Sequence, residues 1–75
     1  MTVEQAKQRL LDLLDQHDGY VPIEMIEDDE EFAEHRDIVS AAARALTTNP
    51  NIVGGEETHP HKRWFPYSFL MRESG

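Results

Sequence analysis

The apolar residues of this chain keep helical spacing as far as Pro50 and take on a β-like, aromatic-rich pattern after it, and that switch limits the folds open to it. Val3, Ala6, Leu10, Leu13 and Leu14 recur three and four apart, on one stripe of a 3.6-residue spiral. Thr2 and Gln5 match a capping box, and Gly19 stands where a left-handed C-terminal cap is needed. The spacing predicts a first helix over residues 3–17, with Leu11 off the stripe, widening the buried face or meeting a partner. Tyr20-Val21-Pro22 reads as a short extended piece, because a residue that precedes proline is pushed out of the helical region. Pro22 then suits the first turn of a short second helix over 22–28, with Ile23 and Ile26 facing the core. The acidic run Glu27, Asp28, Asp29, Glu30 and Glu31 complements the positive end of a third helix, over 32–47. That helix carries Phe32, Val39, Ala42, Ala43 and Leu46 inward and stops at Thr47-Thr48-Asn49-Pro50.

Beyond Pro50, Ile52-Val53 is a β-prone pair, Gly54-Gly55 a turn or bulge signal, and residues 64–70 an aromatic-rich run. These predict a two-stranded hairpin over 51–54 and 63–70, with Pro66 marking the second strand as an edge. The expected core is Leu10, Leu13, Leu14, Ile26, Val39, Leu46, Phe69 and either Trp64 or Phe65. At 75 residues the chain supports one core, so a single domain over 1–71 with a flexible tail at 72–75 is expected. There is no cysteine to staple the fold or to bind zinc as a thiolate, which favours a cytoplasmic home. The opening residues lack the apolar run of a secretory signal, and no stretch is apolar enough to enter a membrane.

Helix, short strand, helix, longer helix, then a hairpin with a protruding loop resembles the winged-helix family in the order of its elements, from Val3 to Leu70. The resemblance implies an α+β fold in which helix 1 and the hairpin sandwich helices 2 and 3. It also implies that helix 3 is the recognition element and residues 56–63 the wing. Most members bind double-stranded DNA, and many regulators among them pair through the first helix, so a homodimer through Leu11 is one possibility.

The charge distribution departs from that pattern. The net charge is −8, and residues 20–50 hold eight acids against two bases. Phosphate contacts supply most non-specific DNA affinity, and seven carboxylates between Glu24 and Glu34 oppose them. The favoured partner is therefore a protein with a basic patch, met by Glu27, Asp28, Asp29, Glu30, Glu31 and Glu34. The near-equal alternative is a DNA-binding regulator that uses Arg36 and Arg44 on helix 3 with a basic wing of His59, His61, Lys62, Arg63 and Trp64. A third reading is an acidic inhibitor that fills a nucleic-acid-binding groove on its target.

Catalytic and cofactor chemistry find no support in the residue patterns. His59 and His61 form a His-x-His pair with no third ligand at a motif spacing, so no metal is expected. Ser40, Ser68 and Ser74 lie outside any nucleophile motif, and Gly54-Gly55 precedes two glutamates, the wrong sign for a phosphate cradle. The expectation is a binding module with no enzymatic activity and no cofactor.

Overall fold

The structure is a computed structural model that describes residues 1–56 and 64–73. Its first element, α1 (Val3–Gln16), opens with the capping box: the Gln5 N–H donates to Thr2 Oγ1 (3.1 Å) and the Thr2 N–H to Gln5 Oε1 (2.9 Å). It closes in a Schellman turn, with the Gly19 N–H on the Leu14 carbonyl at 2.7 Å. Both Asp18 (φ 56°) and Gly19 (φ 86°) are left-handed there, so the turn uses the tolerance of aspartate as well as of glycine. Ala6, Leu10 and Leu14 are buried, while Val3 is exposed and Leu13 only half-buried. The buried stripe is thus narrower than its spacing predicts, and Leu13 packs at the rim of the core.

Strand β1 (Tyr20–Pro22) leads into α2 (Ile23–Glu27), which buries Ile23 and Ile26. Pro22 is the N-cap of α2, one position before the first helical residue. The single third helix of the sequence reading is in fact two helices, α3 (Glu30–Glu34) and α4 (Arg36–Leu46), separated at His35 (φ −128°, ψ 44°). The cause lies in the spacing of the apolar residues. Phe32 and Val39 are both buried, but the positions three and four beyond Phe32 are His35 and Arg36, so no apolar side chain carries the stripe across. Arg36 Nε donates to the Ala33 carbonyl (3.2 Å) and covers one acceptor that the break frees. Helix α4 packs against α1, and the buried Ala42 and Ala43 let the two backbones approach closely.

The chain forms three antiparallel strands in the order β1-β3-β2, where the sequence predicts a two-stranded hairpin. Strand β2 is Ile52–Gly54 and β3 is Phe69–Arg72. Central β3 aligns Leu70 with Val21 on one side and with Gly54 on the other. Residues 64–68, expected in the strand, lie outside it. Arg72, expected in the tail, ends it, and the Glu73 N–H still reaches the Asn51 carbonyl at 2.8 Å.

The proline that marks a sheet edge is Pro22. The Arg72 N–H donates to the Gly19 carbonyl and the Ile23 N–H to the Ser68 carbonyl, so Pro22 lies at a position whose nitrogen points away from β3. Alternation then sorts the side chains. Val21, Ile52 and Leu70 are buried against the helices, whereas Tyr20, Pro22, Val53, Phe69 and Met71 take the opposite face. Phe69 therefore leaves the expected core, Phe65 is the aromatic that fills it, and Trp64 is half-buried beside it. Gly54 ends β2, and the Gly55 N–H still donates to the Phe69 carbonyl at 2.9 Å. A Cβ on Gly54 would fall 2.5 Å from the Tyr67 ring, and one on Gly55 would fall on Ser68 Oγ and the Phe69 ring.

Leu10→Ala should lower stability by about 2–5 kcal/mol, a large part of the roughly 5–15 kcal/mol that holds a domain together. Leu13→Ala should cost clearly less, and the urea midpoints of the two variants check the order. Gly55→Ala should cost roughly 1–3 kcal/mol, because the methyl group has no room beside Phe69.

Candidate functional site

The acidic segment from α2 to α3 does two different jobs. Glu27 turns inward: one of its carboxylate oxygens accepts the backbone N–H groups of Trp64 (3.1 Å) and Phe65 (3.4 Å). The carboxylate of Asp29 caps α3 by accepting the N–H groups of Glu31 (2.9 Å) and Phe32 (3.2 Å). Glu31 pairs with Arg9 of α1 at 2.6 Å, and the same guanidinium stands 5.7 Å from the centroid of the Phe32 ring. Asp28, Glu30 and Glu34 are exposed.

Helices α1 and α3 enclose an open cleft of about 740 Å³ lined by Met1, Gln5, Gln8, Arg9, Glu30, Glu31, Glu34 and His35. Three carboxylates face one guanidinium in it, and that guanidinium is already paired. The potential in the cleft is therefore negative, and His35 borders it at the α3–α4 break.

The bases divide in the same way. Lys7 pairs with Glu4 (3.2 Å), and Arg72 pairs with Asp15, tying the end of β3 to α1. Arg36 and Arg44 are exposed on α4 and make no ion pair among the described residues. They are eight residues apart, so about 12 Å of helix rise separates them. His59, His61, Lys62 and Arg63, the predicted wing contacts, lie outside the described residues.

Trp64 is held in three ways. Its N–H reaches Glu27, its carbonyl accepts the Ser40 hydroxyl (3.3 Å), and its ring meets Phe65 edge-on at 5.9 Å. Ser40 thus has a structural partner. Tyr67 and Thr47 share a hydroxyl–hydroxyl bond of 2.8 Å that fixes the aromatic run to the end of α4. Leu11 borders a smaller cleft with Leu46, Ile52 and Arg72. Among the described residues no group of three or more His, Asp or Glu is placed to hold a metal ion, and no helix is long and apolar enough to cross a membrane.

The inward turn of Glu27 is the feature that sequence reasoning missed. It opens a run of five acids, Glu27 to Glu31, and nothing in that run sets it apart from the exposed positions.

Glu27→Ala removes an acceptor shared by the Trp64 and Phe65 N–H groups and should cost about 1–3 kcal/mol, whereas Glu30→Ala should be nearly neutral. Thermal melts of the two variants separate them. No protein family model, curated protein or solved structure matches this chain.

Proposed function

We propose that this domain is a winged-helix-like binding module without catalytic activity, and that its acidic α2–α3 surface meets a protein partner carrying a basic patch. The observation that supports this reading is the α1–α3 cleft, where Glu30, Glu31 and Glu34 face a single, already paired Arg9. Such a surface attracts cations and speeds encounter with a basic partner. The element order supports the winged-helix part of the reading: helix, short strand, helices, then the β2–β3 pair. Asp28, Glu30 and Glu34 are the exposed carboxylates that would make the contact. Glu27, Asp29 and Glu31 serve the fold first, and their loss would weaken binding by disturbing it.

The DNA-binding alternative draws on one observation, the exposed Arg36 and Arg44 of α4, which make no ion pair among the described residues. With Lys62, Arg63 and Trp64 they would have to supply every phosphate contact against a net charge of −8.

A fluorescence titration against mixed duplex DNA at low salt separates the two readings. Genuine DNA-binding domains reach non-specific Kd values of roughly 10⁻⁴ to 10⁻⁶ M even at physiological salt, so such binding would be plain at low salt. The expected result is none. Salt-sensitive duplex binding that Arg36→Ala and Arg44→Ala abolish would replace the protein-binding reading with the DNA one. Against a basic protein, the triple change Asp28→Asn, Glu30→Gln and Glu34→Gln should slow association and leave the dissociation rate nearly unchanged.

A further inference from the structure

An antiparallel sheet with one face on the core usually turns polar side chains to water on the other. This sheet does not. Its outer face carries Tyr20, Pro22, Val53, Phe69 and Met71, with no charged side chain among those strand positions. Tyr20 is 49% exposed and the other four are half-buried, and the Tyr20 ring meets that of Phe69 at 5.4 Å. None of the five belongs to the core cluster or to the half-buried residues packed against it. Gly55 keeps the face flat, since a side chain there would collide with the Phe69 ring. A contiguous apolar patch of tyrosine, phenylalanine, methionine and valine on a small acidic domain marks an interaction surface.

Charge identifies what fits it. The charged residues within two positions of a strand end are Asp18 before β1, Glu24 after it, Glu56 after β2 and Glu73 after β3, all exposed and all acidic. Arg72, the one base within the sheet, lies on the core face and pairs with Asp15. A second copy of the chain would bring the same carboxylates against these, and a phosphate backbone would meet the wrong sign. We propose that the outer face of the β1-β3-β2 sheet docks a basic, amphipathic segment of a protein, its apolar side on Tyr20, Phe69 and Met71 and its lysines or arginines on the surrounding acids. This surface is distinct from the acidic α1–α3 cleft and stands or falls independently of it.

The probe is a helical peptide of leucine and lysine at amphipathic spacing, with a leucine and glutamate peptide as its control. Amide chemical shifts of the whole 75-residue chain should move at residues 20–22, 52–55 and 69–73 on adding the lysine peptide, and should stay still with the control. Tyr20→Ser and Met71→Ser, both outside the core, should each weaken binding about tenfold, the loss usual for an aromatic or comparable anchor. The triple change at Asp28, Glu30 and Glu34 should leave these shifts in place, which separates this surface from the cleft. Shifts confined to α3, no shift at all, or equal binding of the glutamate peptide would overturn the proposal. So would concentration-dependent dimerisation, or partition onto phosphatidylcholine vesicles, that Tyr20→Ser abolishes.

Discussion

Strand β3 is the element on which the rest of the molecule depends. β1 and β2 have three residues each and are not paired with one another; each forms its ladder only with the four residues of β3. Leu70 stands at the crossing, fully buried, opposite Val21 on one side and Gly54 on the other. A two-stranded ribbon of this length is marginal in water, and the third strand with the helices behind it makes the sheet viable. The strand is also tied to the first helix. The Arg72 side chain reaches Asp15 near the end of α1, and its N–H takes the carbonyl of Gly19 in the turn that follows. The end of β3 is thus fixed by the first helix and its C-terminal turn.

The approach to β3 is organised by a carboxylate. The bends at residues 64–66 turn two backbone N–H groups toward Glu27, and the half-buried acceptor at the end of α2 satisfies both. The Ser40 hydroxyl on the Trp64 carbonyl and the Thr47 hydroxyl on Tyr67 complete the attachment of this run to α4. Phe65 can then drop into the core while Phe69, four residues on, emerges on the outer face.

Much of this was legible in the sequence, and the misses have physical causes. The capping box, the two isoleucines of α2, the acidic start of α3 and the stop after Leu46 are local events, and local chemistry sets them. The extended piece Tyr20-Val21-Pro22 was legible as well, but its place in the sheet was not, because its partner β3 lies about fifty residues further along the chain. The assignment of Phe69 to the core failed for the same reason: alternation says which residues share a face, but pairing with Val21 decides which face is inside. The break at His35 was visible as the gap of seven between Phe32 and Val39, and strong helix formers on either side masked it. At the candidate site, composition identified the acidic surface, but the division of its carboxylates into structural and exposed ones depends on contacts distant in sequence.

The two proposed surfaces would act on different constants. Exposed carboxylates such as Asp28, Glu30 and Glu34 keep most of their hydration, so they contribute chiefly to the rate of encounter, and salt screens them. The sheet face has the opposite character: its aromatic and aliphatic groups give little steering, and removing them from water sets how long a complex lasts. A chain this short has no room for a deep pocket, and a flat apolar face bordered by acids is a way to obtain lasting contact without one. The same arrangement protects the free domain. Pro22 leaves the outer edge of β1 without a donor at that position, and like charges around the face oppose pairing of two copies. Asp18, Glu24, Glu56 and Glu73 near the strand ends would set the same sign of charge against itself in any face-to-face pairing of two copies.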